Sequence, residues 1–196
     1  FCGLMLHSLA EVNASQGNYL AALESYTRGC QYAVEHSLIK EYCYSQSERT
    51  YLLKALGRLE ESKIEYEDML AYGMEHRLSD DVTAFAKAGL AEIYFEQNAM
   101  TQAAEQIRWV LENYERVESS PLNWIRTEWL HVRLARYFLA IGDTSNAQAF
   151  FSKALIGFRA NRQVVHYLSA QLIDTQMDIW QVTGELEQGI ADFEEK

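Results

Sequence analysis

GLAEIYFEQNAMTQAAEQIRWVLE, residues 89–112, carries two helical patterns separated by a break. Before the break, Leu90, Ala91 and Tyr94 fall on one side of a helix; after it, Ala103 and Ile107 stand one turn apart on another. Between them is Asn98, and Asn is the residue next to Gly in tolerating the left-handed conformation of a helix end. A small residue followed four positions later by a large one lets a second helix come close and then fills the space beside it. The stretch therefore predicts a helical hairpin.

The same unit recurs on both sides. Gly17, Gly57, Gly142 and Gly184 each precede a small-x3-large segment: Ala22-x3-Tyr26, Ser62-x3-Tyr66, Ala147-x3-Phe151 and Gly189-x3-Phe193. Upstream of each turn lie Leu9-Ala10-x2-Asn13, Arg49-Thr50-x2-Leu53, Leu134-Ala135-x2-Phe138 and Gln176-Met177-x2-Trp180, matching Leu90-Ala91-x2-Tyr94. Turn positions 17, 57, 98, 142 and 184 are spaced by 40, 41, 44 and 42 residues, the mark of stacked repeats. Helix pairs are expected at about 2–16 and 19–37, 40–56 and 59–77, 81–97 and 101–117, 121–141 and 144–160, and 163–183 and 185–195. Ser120-Pro121 is a start signal, and Asp80-Asp81 puts acidic groups at the positive end of a helix dipole. The longest irregular stretch is expected around 118–120.

These features resemble the L-G-x2-Y…A-x3-F pattern of the tetratricopeptide-repeat superfamily over nearly the whole chain. The resemblance implies an all-α fold, a right-handed superhelix of five long helix pairs forming one domain over 1–196, with repeats at about 2–38, 39–79, 80–118, 119–161 and 162–196. The period exceeds the usual 34 of that superfamily, so each helix should be longer by roughly a turn, ~3.6 residues. A first residue other than Met marks the chain as an expected piece of a longer protein. So does the apolar stripe Leu186, Ile190 and Phe193, which has no helix after it and offers a route to self-association.

Composition agrees with helices: one Pro and 10 Gly are too few for the turns of an all-β chain. The net charge of −11 argues against direct nucleic-acid contact and favours a basic or neutral partner. Three cysteines, Cys2, Cys30 and Cys43, without a CxxC spacing fit a reducing cytoplasm; Cys30 and Cys43 read as small buried hydrophobes. No apolar run has the ~18 residues of a membrane span.

An echo in the sequence resembles a site at first sight. YAVEHSL (32–38) returns as YGMEHRL (72–78), placing Glu35-His36 and Glu75-His76 at equivalent helix ends. Equivalent positions of adjacent repeats lie a helix-packing distance of ~10 Å apart, too far to share a zinc ion held at ~2 Å. The pair is read as helix-end chemistry, not as metal ligands.

No phosphate loop, dinucleotide fingerprint, zinc-protease or nucleophile-elbow motif occurs. The expectation is a non-enzymatic domain with no catalytic residue, metal or cofactor. Binding is expected on the concave face lined by the first helix of each pair. Its inward positions are assigned to His7, Glu11, Tyr44, Glu48, Tyr51, Phe85, Glu92, Glu96, Trp129, Arg133, Arg136, Asp174 and Asp178. Of these, Tyr44, Glu48, Tyr51, Glu92, Trp129, Arg133, Arg136 and Asp178 form the candidate site. Its aromatics are taken as exposed anchors, and its two arginines as a positive spot that holds a carboxylate or pairs with Glu92. Trp109 and Trp180 are assigned to packing between repeats.

A narrower resemblance comes from residues 89–112 and RLARYFLAIGDTSNAQAFFSKAL, 133–155. Leu90, Ala91, Glu92, Tyr94, Glu96, Asn98 and Ala103-Ala104, then Leu134, Ala135, Arg136, Gly142, Asp143 and Ala147, follow a pattern similar to the helical-repeat domain of the ATP-dependent bacterial transcription activators of the LuxR family typified by the maltose activator MalT. That resemblance implies a cytoplasmic signal-sensing domain that binds a protein, a peptide or a small-molecule effector. Two alternatives stay open: a stand-alone adaptor, and a peptide-pheromone receptor domain.

Overall fold

The computed structural model describes residues 2–119, 127–161 and 166–185. Among them are ten helices and no strand: α1 (Cys2–Ser15), α2 (Tyr19–Glu35), α3 (Ile39–Ala55), α4 (Leu59–Glu75), α5 (Asp80–Glu96), α6 (Met100–Glu112), α7 (Tyr114–Glu118), α8 (Thr127–Ala140), α9 (Thr144–Asn161) and α10 (His166–Thr183). Four of them, α2 to α5, have 17 residues each, so the long period is spent on long helices rather than on loops. No described helix is long and apolar enough to cross a membrane.

The turns form where the spacing puts them. Gly17, Gly57, Gly142 and Gly184 all have φ between 73° and 79°, and Asn98 replaces glycine at φ 58°. At Gly17, Gly57, Asn98 and Gly142 this lets the chain reverse within three residues and returns the next helix onto the last. The small-x3-large motif is the contact they create: Ala22 and Tyr26, Ser62 and Tyr66, Ala103 and Ile107, and Ala147 and Phe151 are all buried. Approach is very close at Gly89, where an added Cβ would lie 2.3 Å from the Tyr66 ring.

The chain divides into two compact units, Phe1–Arg126 and Thr127–Lys196. In the first, α1 to α6 each pack on the next, α7 packs on α5, and the first helices of successive pairs meet as well, α1 with α3 and α3 with α5. In the second, α8, α9 and α10 pack on one another around Ala135, Phe151 and Ile179.

Two features differ from expectation. The helix expected over 101–117 breaks at Asn113, whose side-chain amide donates to the Trp109 carbonyl at 2.7 Å, and α7 follows. Trp109 lies half-buried with the Lys87 ammonium 5.5 Å from its ring centre, a contact within the third pair. The turns between the first pairs also use the left-handed conformation, at Ser37 (φ 53°) and Arg77 (φ 51°), without glycine. The start signal at 120–121, the segment Gly189-x3-Phe193 and the stripe Leu186, Ile190 and Phe193 lie outside the described residues.

The echoed Glu-His pairs end α2 and α4. His36 stacks on Tyr32, rings 4.0 Å apart, and its Nδ1 is 2.9 Å from the Tyr32 carbonyl oxygen. His76 lies on Tyr72 at 4.1 Å. Each imidazole thus covers a helix end whose carbonyls lack partners along the helix.

Candidate functional site

In the first unit, α1, α3 and α5 form a row of adjacent first helices, and the row brings together most of the residues assigned to it. His7 and Glu11 of α1 are half-buried, with Nε2 and Oε1 3.7 Å apart. The His7 ring meets Tyr26 of α2 edge-on at 5.6 Å and lies 6.4 Å from Tyr44 of α3. Tyr44, Glu48 and Tyr51 follow along α3 at helical spacing, and all three are half-buried. The Lys40 ammonium stands 5.6 Å from the Tyr44 ring centre.

At the far end of α3, Lys54 bridges to α5. Its ammonium donates to Glu92 at 2.7 Å and lies 4.0 Å from Glu96. The Lys54 and Glu92 side chains are only 8% and 10% exposed, so this pair ties two repeats together in a low-dielectric setting. Sequence reasoning assigned Glu92 a partner in the Arg133–Arg136 pair and overlooked Lys54. The i, i+38 separation follows from the repeat, but no local signal marks a lysine at a helix end as an inter-repeat bridge.

Repeat register, counted from the turns, makes Tyr44, Glu48 and Tyr51 of α3 equivalent to Trp129, Arg133 and Arg136 of α8 in the second unit. Here one expectation is corrected. Trp129 is 9% exposed and Arg133 4%, so neither is an exposed anchor. Over Trp129 lies α9: Phe158 packs edge-on against its ring at 4.6 Å, and Phe150 stacks on Phe138 of α8 at 5.5 Å. Arg136 is half-buried, and Asp174 and Asp178 of α10 are exposed. Phe85 of α5 is likewise buried, against Tyr66 at 6.3 Å.

A polar network between α2, α3 and α4 went unnoticed in the sequence. The Cys30 thiol donates to the Gln46 side-chain oxygen Oε1 at 3.3 Å. The Gln46 amide donates to the Glu65 backbone carbonyl at 3.2 Å and also to the Glu65 carboxylate, to which Arg49 donates at 2.7 Å. Gln46 is fully inside, and its amide satisfies polar groups that would otherwise be stranded there. Burial pushes the Cys30 thiol up to about 12, with Arg49 opposing and Glu65 adding to it. Burial, reinforced by Asp81, does the same to Cys43. Both thiols are held protonated and unreactive, as small apolar fillers. Among the described residues no group of His, Cys, Asp and Glu is arranged to hold a metal ion.

No protein-family model matches the chain, and no curated protein does. Among solved structures, the chain is similar to nearly identical TPR-like repeats of a candidate kinesin light chain from Podosopora anserina. The TM-score is 0.53 at 16% identity, covering 97% of this chain and 90% of that one. At that identity the likeness is one of architecture: this chain has the fold of a tetratricopeptide-like helical repeat.

Proposed function

We propose that the chain is a non-enzymatic binding domain whose first unit receives a short protein or peptide segment along the row of α1, α3 and α5. The observation that carries this reading is the half-buried set Tyr44, Glu48 and Tyr51 beside His7 and Glu11. Aromatics with one side packed and one side open supply large contact area at little entropic cost, and neighbouring carboxylates select a basic partner. The net charge of −11 supports the same sign of partner. A displayed library of random short peptides is the probe. Wild-type chain is expected to select basic sequences containing an aromatic residue, and Tyr44→Ala and Tyr51→Ala to weaken the selected peptide at least about tenfold, one desolvated anchor being worth roughly 1.5–3 kcal/mol. Their melting temperatures should fall by no more than about 5 °C. No enrichment, or equal affinity in both variants, overturns the reading.

In its narrower form, the proposal is that this domain senses a signal within a bacterial transcription regulator, as a cytoplasmic module that leaves DNA contact to another part of the protein. What supports it is the similarity of residues 89–112 and 133–155 to the repeat domain of MalT-type activators. The parent gene decides: a phosphate loop encoded upstream and a DNA-binding helix-turn-helix downstream uphold it, whereas an open reading frame without either favours an adaptor.

A further inference from the structure

The outward side of α1 carries an apolar stripe that the rest of the array explains. Leu4, Met5, Leu9 and Val12 are 60%, 66%, 49% and 51% exposed, and Ser8 lies exposed among them. Their spacing puts all five on one side of the helix. By repeat register Met5 stands where α3 has Ser45 and α5 has Ala86. Val12 stands where they have Leu52 and Ile93, Leu9 where α5 has Leu90, and Ser8 where α5 has Gly89. Every one of those counterparts is buried. What buries them is the second helix of the pair before. The Ser45 hydroxyl lies 3.1 Å from the Cβ position of Gly29 on α2, and Gly89 faces the Tyr66 ring of α4.

We propose that this stripe of α1 is a docking surface for one kind of partner: an amphipathic helix from outside these 196 residues, built like the second helices of this array, with a small residue followed four positions on by an aromatic one. The interface would continue the α2–α3 and α4–α5 contacts by one more step. Scattered exposed apolar residues call for no explanation, but Met5 and Val12 have equivalents buried in both α3 and α5, and Ser8 and Leu9 have equivalents buried in α5.

The test adds the missing step. A copy of residues 18–40 is placed ahead of residue 1, which keeps between the copied Tyr26 and Ser8 the separation that Tyr26 has from Glu48. The extended chain is expected to melt higher by on the order of 5 °C, and Met5→Glu with Val12→Glu to abolish that gain. Without the extension, the same double variant should melt within about 1–2 °C of wild type. An added segment that is helical by circular dichroism yet brings no gain overturns the proposal, as does a gain that survives the double variant or a double variant that unfolds the unextended chain. So does an unextended chain that sediments as a dimer and reverts to monomer on Met5→Glu, since a second copy would then be the occupant.

Discussion

Helices α3 and α8 hold equivalent places in the repeat and treat them differently. On α3 the three register positions carry Tyr44, Glu48 and Tyr51, all half-buried; on α8 they carry Trp129, Arg133 and Arg136, of which the first two are inside. Repeat register fixes the direction in which a side chain leaves its helix. Its depth depends on the neighbours. Over α8 stands α9 with Phe150, Phe151 and Phe158, large rings that roof the helix. Over the α3 row stand a lysine that covers one ring and a histidine 6.4 Å away. The same position is therefore a core site in one unit and an accessible one in the other.

The sharpest way to break this contrast is to truncate the two aromatics that share a register position. Trp129→Ala is expected to destabilise by about 3–5 kcal/mol, the usual result of emptying a buried aromatic site. Tyr44→Ala removes a ring that still has one side in water, and should lose less than half as much. Urea unfolding followed by far-ultraviolet circular dichroism measures both. Equal losses would show that α3 and α8 are buried alike.

How much of this was readable beforehand follows from those same residues. The turns were readable because a left-handed backbone admits few residue types, so Gly17, Gly57, Asn98, Gly142 and Gly184 announce themselves. The core pairs such as Ser62 and Tyr66 were readable because close helix approach demands small residues at fixed spacing. The accessible row was readable only as a direction. Trp129 was misplaced because its solvent exposure depends on α9, whose Phe158 comes about one repeat-half later and carries no mark of what it covers. Lys54–Glu92 and the Cys30–Gln46–Glu65–Arg49 network were invisible for a related reason: each partner is an ordinary helix residue, and only three-dimensional placement makes it a bridge.

A second effect separates the two sides of α3 itself. Tyr44 is half-open, while adjacent Cys43 is fully enclosed. Cys30 and Cys43 ionise near 9 when unfolded and are pushed up to about 12 when folded. A raised folded pKa favours the protonated native form, so the stabilisation is complete below pH 9 and is lost as pH climbs toward 12. In that window each thiol contributes a slope of up to ~1.4 kcal/mol per pH unit. Denaturant midpoints measured from pH 8 to 11 should thus fall more steeply for wild type than for Cys30→Ala with Cys43→Ala. Identical slopes would mean that the closed side of α3 admits water.

The smallest expected effect concerns the register on which the whole comparison rests. Turns inside a pair use Gly or Asn, but the turns between the first pairs use Ser37 and Arg77, at φ 53° and 51°. A residue with a Cβ held there costs roughly 1–2 kcal/mol in backbone strain. Glycine removes that strain but adds freedom to the unfolded chain, worth about 0.4–1 kcal/mol against folding. Strain wins by a small margin, because Arg77 is exposed and its side chain has little packing to lose. Arg77→Gly should therefore raise the melting temperature by about 1–2 °C, whereas Asn98→Gly should leave it nearly unchanged, since Asn already tolerates the left-handed well. A fall on Arg77→Gly would show that its side chain holds the turn, and that the junctions between pairs are secured by contacts rather than by backbone conformation alone.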